Sequence, residues 1–295
     1  MKLFTILHTI WNHPFNKNYE INAIIRFLKW QFFSSVTNYT ILYPLTNNSI
    51  MLAKKGMTGV TGCIYNGLFE FDDMMFLLHF LRKEDVFVDI GSNVGVYTIL
   101  ASAEIGARVI AFEPIKDTFN VLQQNVNLNK VESIVNLYNI GIGDRKGRLN
   151  FSTLHDTTNH VINENELITI EHETIEVDTL DNILSDIIPN LIKIDVEGFE
   201  YNVIKGGENI FSNPNLKALI VELNGSGIKY GFNDTLLHNK ILSFGFEPYS
   251  YEPYKRILYK IDKFGSHNTI YIKDYKFVNE KIQNANKISI LNKQI

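Results

Sequence analysis

The stretch that decides the fold is VFVDIGSNVGVYT, which runs from Val86 to Thr98. It begins as an apolar strand that ends near Asp89, and Gly91 and Gly95 then bracket a turn before a segment of helical character. Glycines at such a turn allow positive φ angles and a close approach of the backbone to a ligand, while the helix N-terminus presents unpaired N–H groups. The pattern predicts a binding site for a nucleotide-like ligand.

Outward from this turn, short apolar runs alternate with segments of helix length. Alternating strands and helices predict a mostly parallel sheet covered by helices on both faces. The predicted strands are Val86–Ile90, Arg108–Glu113, Val135–Ile140, Leu191–Asp195, Ala218–Leu223, Phe246–Tyr251 and Asn268–Ile272. We therefore expect an α/β fold with a seven-stranded, mostly parallel sheet. Its ligands would bind beyond the carboxyl ends of the strands, where Asp89, Ser92 and Asn93 would face the crevice.

Three segments can be separated along the chain. Residues 1–70 are predicted to form an N-terminal cap of helix and strand, because a first helix is followed by a short, turn-rich pattern. Residues 71–273 carry the alternating pattern of the main domain, with an insert at about 145–178 that favours a ribbon. Residues 274–295 are rich in Lys and Asn and are predicted to form a C-terminal tail.

The composition argues against several classes of protein. With 45% hydrophobic and 20% charged residues, the chain can bury a large core and is not typical of a disordered or fibrous protein. Lys and Arg number 28 against 32 Asp and Glu, and this net charge of -4 argues against a dedicated nucleic-acid binder. A single cysteine, Cys63, supplies neither an intramolecular disulfide nor a multi-cysteine zinc site. It fits a reducing compartment, and we expect a cytoplasmic protein.

The sequence gives little sign of targeting to a membrane. No stretch approaches the ~20 consecutive apolar residues that span a bilayer, so we expect no transmembrane segment. The apolar run Leu3–Leu7 is interrupted by His8 and lacks a cleavage-site pattern, so we expect no signal peptide. No pattern specifies an oligomeric state.

The segment Ile21–Phe33 predicts an amphipathic helix, for which two interpretations stay open. In the first, the apolar stripe packs against the main domain, and the modest basic charge of the polar face favours this interpretation. In the second, the helix makes peripheral contact with a membrane surface through Arg26, Lys29 and Trp30.

The spacing of the turn discriminates between cofactors. The dinucleotide fingerprint is G-x-G-x-x-G, whereas this turn has G-S-N-V-G and keeps an acid, Asp89, where a pyrophosphate would lie. A carboxylate repels a pyrophosphate but suits a ligand that carries an ammonium and a sulfonium group, as S-adenosylmethionine does. The turn therefore disfavours a nicotinamide-dependent dehydrogenase and favours S-adenosylmethionine.

A second acid follows at the distance expected for a ribose contact. Glu113 ends the strand in RVIAFEP, about 24 residues after Asp89, and the dinucleotide rule places its ribose-binding acid at about 20 residues. Two ribose hydroxyls can donate to one carboxylate, and charge-assisted bonds contribute roughly 1.5 to 3 kcal/mol each. An acid before a helix would instead complement the helix dipole by about 0.3 to 1 kcal/mol, and both roles can hold together.

The third informative stretch is NLIKIDVEGFE, from Asn190 to Glu200. Lys193 and Asp195 stand two residues apart in a predicted central strand, so their side chains point to the same face. A buried lysine needs a carboxylate partner, which either Asp195 or Glu222 in LIVELN can supply. Lys193, Asp195, Glu222 and Glu197 are predicted to cluster at one edge of the sheet. The cluster is either part of a functional site or a structural network of ion pairs.

The chain resembles the FkbM-type S-adenosylmethionine-dependent methyltransferases in four motifs, which are VFVDIGSNVGVYT, AFEP, LIKIDVEGFE and LIVELN in that order. Nearer the N-terminus, NHPFN and GVTGCIYNGLFEFDD are also similar to that family. The resemblance covers most of the chain and is weakest between Leu154 and Glu173 and after Lys273. It implies a Rossmann-like class I methyltransferase fold, an S-adenosylmethionine site, and methyl transfer to a hydroxyl of a small-molecule or glycan acceptor, such as a sugar or a polyketide.

The resemblance also implies roles for single residues. Those assigned to the cofactor are Asp89, Gly91, Asn93 and Gly95 at its methionine and sulfonium end, Glu113 at its ribose, and Asn139, Gly141 and Asp144 of NIGIGD near its adenine. Asp195, Glu197 and Lys193 would lie near the methyl group, and Glu70 would reach the cofactor or the acceptor. Ser92 is also expected to bind the cofactor, although Ala is common at this position of the family's turn, because a small hydroxyl fits there.

Methyl transfer from a sulfonium is an in-line displacement that needs a close acceptor oxygen and a base for its proton. Asp195, oriented by Lys193, is the first candidate base. The insert supplies the second candidate, because its polar part carries His155 and His160.

Other interpretations stay open. Asp195, Glu197 and Glu222 could offer the oxygen ligands that Mg²⁺ prefers, although no spacing demands a divalent metal. A nucleic-acid or other N-methyltransferase would share the sheet, but the sequence has no D/N-P-P-Y/F motif after the fourth strand and its net charge is acidic. A noncatalytic scaffold that keeps the fold is the alternative from a different class, since a fold alone does not establish a function.

Overall fold

The computed structural model describes residues 2–153, 160–162 and 171–295. The helices are α1 Lys2–Asn12, α2 Glu20–Val36, α3 Thr58–Asn66, α4 Phe71–Phe80, α5 Val96–Ile99, α6 Lys116–Leu128, α7 Leu180–Ile183, α8 Glu200–Lys205, α9 Glu208–Ser212, α10 Asp234–Ser243 and α11 Tyr275–Gln283. The strands are β1 Ile41–Pro44, β2 Ile50–Ala53, β3 Val86–Ile90, β4 Arg108–Phe112, β5 Val135–Tyr138, β6 Gly141–Ile142, β7 Gly147–Ser152, β8 His172–Asp178, β9 Leu191–Ile194, β10 Ala218–Glu222, β11 Glu247–Glu252, β12 Ile257–Lys260, β13 Asn268–Ile272, β14 Ser289–Ile290 and β15 Lys293–Gln294. Leu100–Ile105 continues α5 as a π-helix.

The centre of the fold is a sheet with the strand order β12-β11-β13-β10-β9-β3-β4-β5. The pairings from β5 through β10 are parallel, and β13 runs antiparallel to both of its neighbours, β10 and β11. The chain leaves β3 towards β4 and β5 on one side, and it later adds β9 and β10 on the other. The strand order therefore reverses between β3 and β9, where open α/β sheets bind their ligands.

The expected α/β fold with a mostly parallel, Rossmann-like sheet is confirmed, and all seven predicted strands lie in it. In the described part of the chain the sheet has eight strands rather than seven, because β12 pairs antiparallel with β11 at one edge. Leu258 is the buried residue of β12, and the other three residues of this strand are exposed. A mostly exposed edge strand gives little hydrophobic signal in the sequence.

Apolar side chains pack on both faces of the sheet. Successive residues of one strand point to opposite faces, so Phe87 and Leu191 join one buried cluster while Val88 and Ile192 join the other. Helix α3 of the cap and helix α4 contribute to the first cluster, as do α11 and Ile290 near the C-terminus. The sheet is thus covered on both sides, and its strand ends are left to form the site.

Helix α2 is the amphipathic helix that the sequence predicts near the N-terminus, and it includes the whole predicted segment Ile21–Phe33. The Arg26 guanidinium donates hydrogen bonds to the carbonyl oxygens of Ile64 and Tyr65, at 3.1 and 2.7 Å, and Trp30 is buried. Two of the residues suggested as membrane contacts therefore hold the cap together. Among the described residues, no helix has both the length and the apolar character that crossing a membrane requires.

Candidate functional site

A cleft of about 610 Å³ lies at the carboxyl ends of β3, β4, β9 and β10. Its walls come from the turn after β3, the segment after β9, the N-terminal cap and the insert. In the insert, β7 and β8 pair antiparallel as the predicted ribbon, and β6 pairs parallel with β8. This small sheet brings Gly141 and Phe151 into the wall of the cleft.

The turn after β3 needs glycine for steric reasons. Gly91 has a φ of 79°, and a Cβ at this position would lie 1.8 Å from the carbonyl oxygen of Asp195. Asn93 also has a positive φ, 49°. The turn therefore passes directly against the segment after β9, which brings the two informative stretches of the sequence together.

Glu113 braces this turn from the end of β4. Its Oε2 accepts a hydrogen bond from the Asn93 N–H at 2.9 Å, and its Oε1 accepts one from the Ile115 N–H at 2.9 Å. The Ser92 hydroxyl donates to the carbonyl oxygen of Phe112 at 3.1 Å. Glu113 is 6% exposed and lines the cleft, at the place where the sequence predicts a ribose contact.

Asp89 and Lys193 are register partners in the paired strands β3 and β9. Asp89 Oδ2 accepts a hydrogen bond from the Thr98 hydroxyl at 2.7 Å. Burial, offset in part by Lys193, raises the pKa of Asp89 to about 6. Lys193 Nζ lies 2.5 Å from Asp195 Oδ2 and 4.7 Å from the centroid of the Tyr97 ring. Of the two acids that the sequence offers to this lysine, the structure selects Asp195.

Lys193 carries a buried positive charge. Burial opposes this charge, but Asp195, Glu70 and Asp89 together outweigh burial and raise the pKa of Lys193 above its ordinary value. Because a lone buried ammonium would be unstable, these acids are needed to keep it charged. The Lys193 side chain is 4% exposed, whereas that of Asp195 is 26% exposed. The lysine therefore orients a carboxylate that remains open to the cleft.

Glu70 connects the cap to this network. Its Oε2 accepts a hydrogen bond from the Tyr97 hydroxyl at 2.8 Å, and its Oε1 accepts one from Asn268 Nδ2 at 2.7 Å. Asn268 Nδ2 also donates to Asp73 Oδ2 at 3.1 Å. Burial, followed by repulsion from Glu70, raises the pKa of Asp73 to about 7. Cap and main domain thus share one polar network at the cleft.

Three carboxyl groups meet beside Lys193. Asp195, Glu197 and Glu222 each place an oxygen within 4.8 Å of the others. Burial, followed by repulsion from Asp195, raises the pKa of Glu197 to about 7. Burial and the neighbouring acids raise the pKa of Glu222 well above its ordinary value, and its Oε2 has no hydrogen-bond partner among the described residues. The raised pKa values mean that at neutral pH Glu222, and Glu197 in part, hold protons that a ligand or a cation could displace.

These three residues, which we name the acidic cluster, are also the candidate metal ligands that the sequence suggests. Carboxylate oxygens are the ligands that Mg²⁺ prefers, so the three residues could hold such an ion. The Lys193 ammonium competes with it, because Nζ already lies 2.5 Å from Asp195 Oδ2. Protonation of Glu222 relieves the same repulsion that a cation would relieve.

The family model of the methyltransferase FkbM domain matches residues 89–258, which is more than half of the chain. The chain belongs to the FkbM methyltransferase family. The matched region begins at Asp89 and contains Glu113 and the acidic cluster, so most of the cleft lies within the FkbM domain.

Two relatives have similar sequences. The hexuronic acid methyltransferase AglP from Haloferax volcanii is 33% identical over 156 residues, which cover 52% of this chain and 62% of that protein. Methyltransferase 1 from Beauveria bassiana is 31% identical over 176 residues, which cover 52% of this chain and 70% of that protein. The matched part thus spans less than two thirds of AglP.

Solved structures have lower sequence identity to the chain. A precorrin-6y C5,15-methyltransferase from Geobacter metallireducens is 15% identical with a TM-score of 0.39, over 78% of this chain and 98% of that chain. The O-methyltransferase from Bacillus cereus, solved in complex with SAH, is 12% identical with a TM-score of 0.37, over 68% of this chain and 78% of that chain.

Most of the site residues predicted for this FkbM-family protein lie in the cleft wall. These are Glu70, Asp89, Gly91, Ser92, Asn93, Glu113, Gly141, Lys193, Asp195 and Glu197. Gly95, Asn139 and Asp144 are not among the described residues of that wall. At Gly95, a Cβ would lie 2.4 Å from Leu122 Cδ1, so the glycine lets α5 pack closely against α6.

The remaining predicted residues lie behind the wall or outside the described chain. Asn139 Nδ2 donates to the carbonyl oxygens of Glu113 and Pro114, at 2.9 and 2.8 Å, and so supports the loop that carries the ribose candidate. Asp144 forms an ion pair with a lysine of α8 at 3.0 Å. His155 lies outside the described residues. His160 is described but is not in the described cleft wall.

The cleft of this FkbM-family protein also contains residues that sequence reasoning missed. Tyr97, Asp73 and His13 lie within quoted motifs, and Asn268 begins β13, but no spacing rule singles them out. His13 Nε2 lies 3.1 Å from the carbonyl oxygen of Phe69, and burial lowers the pKa of His13 to about 4. A neutral imidazole therefore joins the cap side of the cleft.

Proposed function

We propose that this FkbM-family protein transfers a methyl group from S-adenosylmethionine to a hydroxyl of a sugar, a glycan or a secondary metabolite. The observation that carries the proposal is that one cleft contains both the turn braced by Glu113 and the ion-paired Asp195. The first suits a nucleoside with a cationic tail, and the second suits an acceptor hydroxyl that must lose its proton.

The chemistry of the cleft fits S-adenosylmethionine. Asp89 and Glu113 place carboxyl groups at the turn, where an ammonium, a sulfonium and ribose hydroxyls need acceptors. Ile115, Ile142 and Phe151 line the wall on the side of the insert and offer an apolar surface for a flat base. A pyrophosphate would face the two acids as like charges, which disfavours a dinucleotide. S-adenosylmethionine bound there supplies an electrophilic methyl group.

The chain's own residues would align the acceptor and remove its proton. Lys193 orients Asp195 towards the cleft, so a hydroxyl beside Asp195 would give up its proton to this carboxylate as its oxygen bonds to the methyl carbon and the carbon–sulfur bond breaks. Glu197 can then take up the proton, because its oxygen lies within 4.8 Å and its pKa is about 7. Alignment of the reactants lowers the activation barrier of such reactions by about 7 to 11 kcal/mol, and a positioned base raises the rate roughly 10² to 10⁴-fold.

The charge of the cleft favours a neutral, hydroxylated acceptor. Eight carboxyl-bearing residues line it, namely Glu70, Asp72, Asp73, Asp89, Glu113, Asp195, Glu197 and Glu222. Their side chains accept hydrogen bonds from hydroxyls and repel anions. The relative AglP is named for a hexuronic acid, but this cleft favours an uncharged sugar or polyol, and it disfavours a nucleic acid.

Calorimetric titration of the purified protein with S-adenosylmethionine, S-adenosylhomocysteine and NAD tests the proposed cofactor. We expect the first two to bind and NAD not to bind, because of the acids at the turn. If the folded protein binds none of the three, the proposal is wrong and a noncatalytic scaffold is the better interpretation.

The value of kcat/KM is expected to rise with pH through about 7. Burial and Asp195 raise the pKa of Glu197 to about 7, so Glu197 is protonated below this pH and is a carboxylate able to take up a proton above it. The measurement is kcat/KM against pH for the wild type and for Glu197→Gln. The variant should lose the rise near pH 7, and a variant profile identical to the wild type would assign the titration to another group.

A further inference from the structure

Helix α2 presents apolar side chains on two opposite faces. Its buried face contains Ala23, Phe27 and Trp30, which pack into the cap and the main domain. The opposite face carries a row of exposed apolar residues, which we name the α2 stripe. Its members and their exposed fractions are Ile21 67%, Ile25 43%, Leu28 56%, Phe32 73% and Val36 67%. Their spacing of three or four residues places them on one side of the helix.

Helix α1, which contacts α2, also carries exposed apolar residues. It packs beside α2 through Ile10, which is buried in one cluster with Ala23 and Phe27. Phe4 and Trp11 of α1 are nevertheless 77% and 52% exposed. Single exposed apolar residues are ordinary, but a row of large ones on two adjacent helices marks an interaction surface.

The N-terminal segment is basic, although the chain as a whole is acidic. Residues 1–56 contain six Lys or Arg and a single acidic residue, Glu20, so their formal charge is +5, against -4 for the whole chain. Lys29 of α2 is exposed, as are Lys17, Lys54 and Lys55. The apolar surface therefore belongs to a basic segment, and Lys29 places one of its exposed charges on α2 itself. Most of the acidic residues lie in the rest of the sequence.

We propose that helices α1 and α2 bind the surface of a bilayer that contains anionic lipids, with the α2 stripe inserted at the level of the headgroups. Apolar side chains would leave water at this surface, and exposed lysines would attract the headgroup charge. A second copy of the chain is a poorer occupant, because it would bring two segments of charge +5 against each other. The residues proposed to touch the bilayer differ from those suggested by the sequence, because Arg26 donates hydrogen bonds within the cap and Trp30 is buried.

The proposed surface lies close to the cleft. Thr9 of α1 lines the cleft, while Phe4 and Trp11 of the same helix are exposed. An 11-residue helix is about 16 Å long. Binding through α1 and α2 would therefore hold the cleft near the bilayer surface.

Sedimentation of the full chain with phosphatidylcholine vesicles, with and without phosphatidylglycerol, tests the proposal at low and high salt. We expect binding to the vesicles with phosphatidylglycerol, and we expect salt to weaken it. The variant Ile21→Ser/Phe32→Ser should lower the partition coefficient at least about tenfold, because two large side chains no longer leave water. The matched control is Ile228→Ser/Leu236→Ser, which alters residues that are 71% and 43% exposed outside the cap and should bind as the wild type does.

Three results would overturn the proposal. The first is that the wild type does not bind vesicles containing phosphatidylglycerol better than vesicles without it. The second is that the control variant loses as much vesicle binding as the stripe variant. Ultracentrifugation without vesicles could also show a dimer that the stripe variant dissociates, which would make the stripe an interface between copies. Thermal unfolding shows that each variant is folded, and because this measurement needs no cofactor, the test stays separate from that of the cleft.

Discussion

Replacing Asp195 with Asn is expected to lower kcat by roughly 10² to 10⁴-fold while leaving the affinity for S-adenosylmethionine nearly unchanged. Asn keeps the size of the side chain and an oxygen that can accept from Lys193 Nζ, which lies 2.5 Å from Asp195 Oδ2. It cannot accept the proton of an acceptor hydroxyl. The measurement pairs single-turnover methyl transfer with calorimetric titration of the cofactor.

The matched control for this prediction is Asp186→Asn, because Asp186 is exposed and does not line the described cleft. It should keep wild-type turnover. Full activity of Asp195→Asn would remove Asp195 as the base and move the role to Glu197. Loss of cofactor binding in Asp195→Asn would show that the residue shapes the cofactor site.

Replacing Glu113 with Ala is expected to weaken S-adenosylmethionine binding at least tenfold, which corresponds to about 1.4 kcal/mol. Two effects act together. The ribose hydroxyls would lose their carboxylate, and the N–H groups of Asn93 and Ile115, each 2.9 Å from a Glu113 oxygen, would lose their acceptor. Calorimetric titration measures the loss of affinity, and thermal unfolding shows whether the variant is still folded.

Glu84→Ala is the control for this second prediction, since Glu84 is exposed and lies before β3, away from the turn. It should bind S-adenosylmethionine as the wild type does. Unchanged affinity in a folded Glu113→Ala variant would contradict the assignment of this cofactor to the turn after β3.

The local features of the cleft could be predicted from the sequence because neighbours along the chain fix them. The turn after β3 takes a positive φ of 79° at Gly91, and glycine adopts such an angle without strain. Lys193 and Asp195 share a face because strand side chains alternate. Parallel strands end at one edge of the sheet, which brings Asp89, Glu113 and Asp195 into one cleft.

The distances between elements could not be predicted in this way. The sequence left Lys193 a choice between two acids, and the structure selects Asp195 because the partner depends on how β9 and β10 are placed. The contact of Glu70 with Tyr97 and Asn268 joins three distant segments of the chain. No spacing rule covers such contacts.

Helix α2 shows where sequence and tertiary structure divide. The sequence by itself determined that this segment is an apolar helix, that the domain is an α/β sheet, and that acids lie at its strand ends. Only the tertiary structure decided that Phe27 and Trp30 face inward while Leu28 and Phe32 face water. It also decided that Asp195, Glu197 and Glu222 lie within 4.8 Å of one another, with a raised pKa at both glutamates. The reason is that periodicity and turn chemistry act over a few residues, whereas burial and electrostatic repulsion depend on every segment that packs nearby.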